Sequence, residues 1–260
     1  MTNNVVGGAA GAAPKRAVYV VLPAYNEAAN IGTVLMSLQR AGGDAGLELR
    51  AIVVDDGSSD GTGEVVRRHS GHLPATLIAH RGNLGLGAAI RSGLLNAVDA
   101  SSDEDVIVTM DADDTHTPAA IAQMLARIDE GTDVVVASRY REGSRVIGVS
   151  AFRRFLSYAA SLLFRAVLPI PGVRDFTCGY RAYRASVLKA AVRRYRQEFI
   201  DEEGFQCMVD ILLKLRRMNL RFDEVPLVLR YDLKAGKSKM KVARTIFKTM
   251  ALLVKRRFGG

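Results

Sequence analysis

Residues 106–113 read VIVTMDAD, an apolar run that passes directly into two acids one residue apart. The β-branched residues of the run predict a strand over Val106–Met110 that is buried on both faces. Asp111 and Asp113 then stand in a turn at the carboxyl end of that strand. Because open parallel sheets bind ligands outside the carboxyl ends of their strands, this turn is a candidate site.

The flanking sequence repeats this order of strand and turn. AVYVVL (17–22) predicts a strand that ends in PAYNE (23–27), and Leu47–Val54 predicts a strand that ends in DDGSSDG (55–61). Further strands are expected over Thr76–Ala79 and Asp133–Ala137, with helices between the strands. The regular alternation predicts an α/β fold, in which helices flank both faces of a mostly parallel sheet and the three turns meet at one edge.

The expected helices follow from apolar spacing and from end signals. The first covers Asn30–Arg40 and is stopped by Gly42-Gly43, and another begins at Thr117-Pro118, where the hydroxyl would cap the helix, and ends at Asp129. The remaining expected elements are a helix that ends near Ser70, helices over Gly85–Val98, Phe152–Leu168, Val187–Arg194, Glu203–Met218 and Lys239–Arg257, and a last strand over Val225–Tyr231.

The net charge of +9 is concentrated at the carboxyl terminus, where nine Lys or Arg and no acid follow Asp232. Such a tail attracts phosphates, including those of an anionic membrane surface. The chain has no Trp, and aromatic residues make up only 7%, which argues against a nucleic-acid partner bound by base stacking. Cys178 and Cys207 lack the CxxC spacing of a zinc or redox site, which indicates a reducing cytoplasm.

The sequence pattern predicts neither a signal peptide nor a membrane-spanning helix in these 260 residues. Residues 1–16 lack the basic and apolar regions of a signal peptide and are expected to form a disordered leader. No apolar run reaches the roughly 18 residues expected of a spanning helix. The amphipathic patterns over 152–168 and 239–257 fit helices that lie in a membrane interface, or helices that pack on the core with a solvated basic face.

The turns carry residue types suited to a metal and a nucleotide. Asp111 and Asp113 could hold Mg²⁺ or Mn²⁺, which are commonly bound by one or two carboxylates with substrate phosphates, or they could form a solvated acidic turn. Asp56 could accept hydrogen bonds from a base or a ribose, although capping explains part of its turn. The Gly-rich sequence GNLGLG (82–87) predicts a tight turn rather than a phosphate-binding loop. His116 is expected to cap a helix or to lie on the surface rather than to bind the metal.

In order along the chain, the motifs resemble those of family 2 glycosyltransferases of the GT-A fold, a Rossmann-like α/β architecture. The match uses VLPAYNE (21–27), VVDDGSSDGT (53–62), NLGLGAA (83–89) and MDAD (110–113). Further motifs resemble the dolichol- or polyprenyl-phosphate mannosyltransferase branch: ASRY (137–140), Arg153-Arg154, DFTCGYR (175–181), EGF (203–205) and GKSKM (236–240).

The resemblance implies inverting, metal-dependent transfer of a sugar, with mannose from GDP-mannose expected, to a polyprenyl or dolichyl monophosphate. It implies a GT-A domain over 17–232, with a nucleotide and metal half (17–140), an acceptor half (141–232) and a basic carboxyl-terminal helix (233–260). The site residues that it implies fall into three groups. The nucleotide-sugar site has Pro23, Tyr25, Glu27, Asp56, Asp111 and Ala112; the metal site has Asp111 and Asp113; and the phosphate-binding group has Arg139, Arg153, Arg230 and Lys237, with Asp113, Arg139 and Arg230 as catalytic residues.

One position departs from this branch. Thr115 stands where the branch usually has a Gln that assists the metal, so the metal shell differs. A lipid phosphate is already mostly ionised near neutral pH and needs no general base, because its second pKa is about 6. The expected location is the cytoplasm, at the membrane surface.

Two other functions stay open from the sequence. A soluble family 2 enzyme could act on a hydroxyl of a sugar or small metabolite, possibly with a UDP-sugar donor, and would need a base such as Asp201, Glu202 or Glu203. A nucleotidyltransferase or a nucleotide-binding regulator could use a similar sheet.

Overall fold

The computed structural model describes residues 16–233, apart from the side chain of Arg153. The predicted leader lies outside these residues except for Arg16, and so do the predicted helix over 239–257 and Lys237. The strands are β1 (Ala17–Ala24), β2 (Glu48–Asp55), β3 (Ala75–Ala79), β4 (Val106–Thr109), β5 (Val134–Ser138), β6 (Arg145–Ile147), β7 (Arg181–Arg184), β8 (Phe222–Pro226) and β9 (Val228–Arg230). The helices are α1 (Ile31–Ala45), α2 (Thr62–His69), α3 (Leu86–Ala100), α4 (Ala120–Asp129), α5 (Ala151–Val167), α6 (Ala185–Tyr195) and α7 (Cys207–Arg216), with a 3-10 helix over Arg196–Ile200.

Seven strands form the central sheet in the order β3-β2-β1-β4-β7-β5-β8, and β6 pairs with β9 in a small second sheet. The pairings within the central sheet are parallel except those of β7, which runs antiparallel to β4 and β5. The predicted mostly parallel α/β fold is therefore confirmed. The sequence reading missed β6 and β7, and it merged β8 and β9 into one strand.

Strand β7 was missed because its sequence, RAYR, does not have the apolar run of a central strand. Arg181 is nevertheless fully buried, and its guanidinium donates to the backbone carbonyls of Met208 and Phe176. Two main-chain oxygens thus accept from the Nη atoms of a guanidinium in the middle of the sheet, while its buried Nε has no hydrogen-bond partner among the described residues. One of these oxygens belongs to Met208, 27 residues along the chain, so the local sequence pattern does not reveal the arrangement.

Three helices differ from the sequence predictions by more than two residues at one end, and α3, α5 and α6 differ by one or two residues. Helix α1 continues through Gly42-Gly43 to Ala45, because Gly42 packs closely on Leu49 and the chain reverses only at Gly46, where φ is +63°. Helix α4 begins at Ala120 after a turn, and no side chain caps it, so the predicted cap at Thr117 is wrong. Helix α7 is shorter than the predicted helix over Glu203–Met218.

The pairing of β1 with both β2 and β4 brings the three predicted turns to one edge of the sheet. The Asp56 N–H donates to Ala24 O at 2.8 Å, and the Met110 N–H donates to Val21 O at 3.0 Å. Backbone hydrogen bonds therefore continue the sheet up to the turns and fix their relative positions.

A second close approach holds the loop over 201–206 against the start of α3. The Gly87 N–H donates to Glu203 O at 2.8 Å, and a Cβ added at Gly87 would lie 1.9 Å from Glu202 O. Only a residue without a side chain permits this contact between two backbones.

Replacing Gly87 with Ala should therefore lower the free energy of unfolding by at least about 2 kcal/mol, because the new methyl group overlaps a backbone carbonyl. The matched control is Gly43→Ala, which adds a methyl group to a helical glycine with no atom within 4 Å. This control should stabilise the protein by about 0.5–1 kcal/mol. Urea unfolding measures both changes, and a Gly87→Ala variant as stable as the unsubstituted protein would contradict the packing described here.

Candidate active site

The acidic turn after β4 lies beside a large cavity. The Asp111 side chain is 46% exposed and lines this cavity, whereas Ala112 is buried. The Asp113 carboxylate accepts a hydrogen bond from the Thr115 hydroxyl at 2.6 Å. Burial, followed by the charge of Asp113, raises the pKa of Asp114, a third acid that adopts a left-handed backbone with φ of +61°.

His116 does not have the capping or surface role that the sequence favoured. It is only 6% exposed, and its ring stacks on that of Tyr180 with 5.0 Å between the ring centres. Its Nδ1 atom accepts the Asp111 N–H at 3.3 Å. His116 is therefore a buried part of the turn that carries both acids.

Asp56, predicted to contact a base or a ribose, is buried and holds the neighbouring loop. Its Oδ1 atom accepts from His80 Nδ1 at 2.7 Å and from the Leu84 N–H at 2.9 Å, and its Oδ2 atom accepts from the Gly85 N–H at 2.8 Å. These bonds fill three of the roughly four acceptor positions of a carboxylate. They also confirm the turn predicted for residues 82–87, whose backbone is tied to the end of β2.

The other residues predicted for the nucleotide site follow β1. Pro23 lines the cavity, and Tyr25 is 38% exposed two residues further on. Glu27 is buried, and its carboxylate accepts from the Asn30 side chain at 2.6 Å. Pro23 and Tyr25 thus offer surface to a ligand, whereas Glu27 supports the start of α1.

Arg139 lines the cavity and is fixed by an acid that the sequence reading did not single out. Its Nε and Nη2 atoms donate to the two Asp175 oxygens at 2.8 Å and 2.7 Å, and Nη2 also donates to Thr177. Burial works to raise the pKa of Asp175, but the charge and hydrogen bonds of Arg139 outweigh burial and lower it. Among the described residues, Arg139 Nη1 has no hydrogen-bond partner and stays available to a ligand.

The loop around Asp175 is anchored by a second buried acid, Glu224 of β8. One oxygen of Glu224 accepts the N–H groups of Arg174 and Asp175 at 2.6 Å and 2.7 Å. Burial raises the pKa of Glu224. Arg139 is therefore positioned through Asp175 from the edge of the central sheet, as one connected network.

The structure gives less information about the other predicted phosphate-binding residues, Arg230, Arg153 and Lys237. The Arg230 side chain donates to Asp232 at 2.8 Å and does not line the cavity, although its backbone N–H donates to Thr115 O at 2.9 Å. Arg153 lies on α5, beside the cavity-lining residue Arg154, and nothing is described of its side chain. Lys237 lies outside the described residues.

The cavity has a volume of about 640 Å³ and is lined by both polar and apolar side chains. Asp111, Thr115, His116 and Arg139 are among the polar lining residues. Apolar lining residues come from β6, α5, α7 and the β8–β9 connection and include Val146, Leu156, Phe164, Met208 and Leu227. Such a lining fits a ligand that carries both a charged group and a hydrocarbon segment.

The two acids of the turn, Asp111 and Asp113, suit a hard divalent cation. Oxygen atoms of a substrate would complete the coordination shell of this cation. Among residues 16–233, no three His, Cys, Asp or Glu side chains are arranged to hold a metal. Mg²⁺ typically needs only one or two carboxylates, with phosphate oxygens and water filling its other positions. Asp111 and Asp113 supply that number, so their turn fits a metal brought in with a diphosphate.

The surroundings of the two cysteines and of Asp201 argue against a thiol nucleophile and against Asp201 as a general base. Burial raises the pKa of Cys178 and of Cys207 to about 12, so neither thiol is a nucleophile at neutral pH. Burial also works to raise the pKa of Asp201, but its hydrogen bond from Lys214 lowers the pKa overall. Asp201 is thus a poor general base for a hydroxyl acceptor.

Comparison with known proteins identifies sequences of the same kind over most of the chain. The profile described as Glycosyl transferase family 2 matches residues 19–191. Undecaprenyl-phosphate mannosyltransferase of Micrococcus luteus is 33% identical over 224 residues, which cover 86% of this chain and 87% of that protein. Polyprenol monophosphomannose synthase of Mycolicibacterium smegmatis is 31% identical over 229 residues, 87% of this chain and 82% of that protein.

A longer relative and a solved structure complete the comparison. Dolichol-phosphate mannosyltransferase of Pyrococcus furiosus is 31% identical over 88% of this chain, which spans 60% of that protein. Glucosyl-3-phosphoglycerate synthase of Mycobacterium tuberculosis, in complex with Mn²⁺, UDP and its product, superposes with a TM-score of 0.65 at 22% identity, over 93% of this chain and 80% of that one. The structural likeness shows a shared fold, and the sequence matches confirm the resemblance drawn from the motifs.

Asp175→Asn should destabilise the protein by about 3 kcal/mol, because it removes the charged partner of a largely buried guanidinium. The loss should be equal at about pH 6 and pH 8, since both the lowered folded pKa and the unfolded value of about 3.9 lie below this range. Asp103→Asn is the control, because it removes the exposed member of an ion pair with Lys189 and should change stability far less than Asp175→Asn does. Equal urea-unfolding curves for both variants would refute the role assigned to Asp175.

Proposed function

The chain belongs to glycosyl transferase family 2, and from this premise we propose that it transfers mannose from a nucleoside diphosphate donor to a polyprenyl monophosphate. GDP-mannose is the proposed donor, the reaction is inverting, and Mg²⁺ or Mn²⁺ is the proposed cofactor. The relatives at 31–33% identity are named for mannose transfer to undecaprenyl phosphate, polyprenol phosphate or dolichol phosphate, which supports this choice of sugar and acceptor.

The observation that supports the acceptor assignment is the mixed lining of the cavity. The lining combines Arg139 and Asp111 with apolar side chains that include Leu156, Phe164 and Leu229. A free sugar or small metabolite would leave these apolar side chains without contacts. A polyprenyl phosphate suits both parts of the lining, since its phosphate suits a guanidinium and its isoprene units suit apolar side chains.

The proposed mechanism requires positioning and charge rather than a base. A divalent cation held by Asp111 and Asp113 would offset the negative charge that develops on the leaving nucleoside diphosphate. Arg139, held rigid by Asp175, would direct its Nη1 group at a phosphate oxygen. Because the acceptor phosphate is ionised near neutral pH, its oxygen can attack the anomeric carbon of the mannose without a proton acceptor. The bond from that carbon to the diphosphate oxygen breaks, and the nucleoside diphosphate leaves with the bonding electron pair. Pro23 and Tyr25 would contact the nucleotide, and Asp56 would support that site through the loop that its carboxylate holds. Arg153, Arg230 and Lys237 would contact phosphates.

We further propose that the enzyme works on the cytoplasmic membrane surface. Within residues 16–233, no helix has both the length and the apolar character needed to cross a bilayer. Helix α5 instead exposes apolar side chains, with Phe152 at 69% and Phe155 at 66% exposure, and Phe155 also lines the cavity. The cavity therefore lies beside the apolar surface of α5, where a membrane-embedded polyprenyl chain could enter it.

The acceptor is tested with purified full-length protein, GDP-mannose and Mg²⁺ or Mn²⁺. Transfer should occur to a polyprenyl phosphate and not to the matching polyprenol, because only the former offers an ionised oxygen. A parallel panel of UDP-glucose and UDP-N-acetylglucosamine examines the donor. Efficient transfer to a sugar hydroxyl without lipid would support the alternative soluble enzyme and overturn the lipid-phosphate assignment.

Membrane contact is tested by replacing Phe152 and Phe155 with Ser and measuring sedimentation with anionic lipid vesicles. Binding should weaken at least about tenfold, because burying one Phe side chain is worth about 1.5–3 kcal/mol. Met36→Ser is the control, since Met36 is 50% exposed on α1 and belongs to a different surface. If the double variant sediments as the control does, α5 is not the membrane contact.

A further inference from the structure

We propose that Thr115 and His116 are positioning residues for the metal, because each fixes one of the two acids expected to hold it. This inference rests on the proposed function, since it requires that Asp111 and Asp113 bind a divalent cation. It assigns a task to two residues that flank the acids without being expected metal ligands.

Thr115 is shaped to orient the Asp113 carboxylate. Its side chain is buried, with 2% exposure, and its hydroxyl donates to Asp113 Oδ1 at 2.6 Å. The Thr115 N–H donates to the same oxygen at 3.2 Å. Two donors on one oxygen restrict rotation of the carboxylate. The carboxylate therefore loses less conformational entropy when it binds a cation.

Thr115 is itself fixed from the opposite side by β9. Its carbonyl oxygen accepts the Arg230 N–H at 2.9 Å, and His116 forms a bridge with Leu229. The hydroxyl therefore projects from a segment that is held by backbone hydrogen bonds, and its direction does not depend on a flexible loop.

His116 orients the other acid through the backbone. Its Nδ1 atom accepts the Asp111 N–H, which places the ring proton on Nε2, and Nε2 lies 3.9 Å from Asp111 Oδ2. Stacking on Tyr180, which is itself fully buried, prevents the ring from turning away. The hydrogen bond to His116 thus fixes the Asp111 backbone from which the carboxylate projects, and the imidazole N–H stands near that carboxylate at a distance too long for a direct hydrogen bond.

A purely structural role would change stability but not the affinity of the folded protein for metal. A positioning role changes that affinity, and loss of such outer contacts typically weakens metal binding by about 10–100-fold. Thr115→Val and Thr115→Ser separate the two possibilities, because Val keeps the shape without the hydroxyl and Ser keeps the hydroxyl.

The experiment measures Mn²⁺ binding to the full chain by the electron paramagnetic resonance signal of free Mn²⁺, in the presence of GDP and without acceptor. Thr115→Val should weaken Mn²⁺ binding at least about tenfold, whereas Thr115→Ser should stay within about threefold of the unsubstituted protein. His116→Phe, which keeps the stacking on Tyr180 and loses the Nδ1 acceptor, should also weaken binding. Melting temperatures confirm that each variant is folded, and if Thr115→Val does not fold, His116→Phe decides.

Normal Mn²⁺ affinity in folded Thr115→Val or in His116→Phe would overturn the inference while leaving the proposed function intact. Equal weakening by Thr115→Ser and Thr115→Val would overturn it as well, because the hydroxyl would then be irrelevant. If the unsubstituted protein binds no Mn²⁺ in the presence of GDP, the metal-dependent function fails and the inference fails with it.

Discussion

The parallel pairing of β1 with β2 on one side and β4 on the other is the constraint on which the site depends. Parallel strands present their carboxyl ends at the same edge of the sheet, so the turns that follow β1, β2 and β4 meet there. The sequences of the loops are not needed to bring the three turns together. The core residues of β1 and β4 are almost completely buried, which makes the register of this pairing costly to change. The acids are therefore positioned by the strongest part of the fold.

A second requirement is that charge be held next to an apolar space. Arg139 meets this requirement through Asp175 and Glu224, because each buried group in the series is hydrogen bonded to the next. Burying an isolated guanidinium beside apolar side chains would cost free energy. Arg139 avoids most of this cost because two of its nitrogens are already hydrogen bonded to Asp175. The result is a cavity lined by a fixed guanidinium together with apolar side chains, which is a property expected of an enzyme that joins a sugar to a lipid phosphate.

Much of the fold was predictable, because β1 and β4 are apolar runs, β2 contains the apolar run AIVV, and a polar turn follows each strand. Strand β7 was not predictable, since the buried guanidinium of Arg181 depends on the carbonyls of Phe176 and Met208, outside the strand. The functional site was likewise predictable only in part. The sequence indicated Asp111 and Asp113 from their place after a strand, but not the pairing of Arg139 with Asp175, which are 36 residues apart. Asp56 was expected to face a ligand, and most of its hydrogen-bonding capacity is used by His80 and the adjacent loop.

The central claim is that the turn after β4 holds a divalent cation together with the diphosphate of the donor. Its most direct test is a crystal of the protein grown with Mn²⁺ and GDP, with anomalous diffraction recorded at the manganese edge. The account predicts one strong anomalous peak within coordination distance of Asp111, Asp113 and the diphosphate, beside the cavity that Asp111 lines. A bound nucleotide without manganese at these two acids, or manganese bound elsewhere, would contradict it.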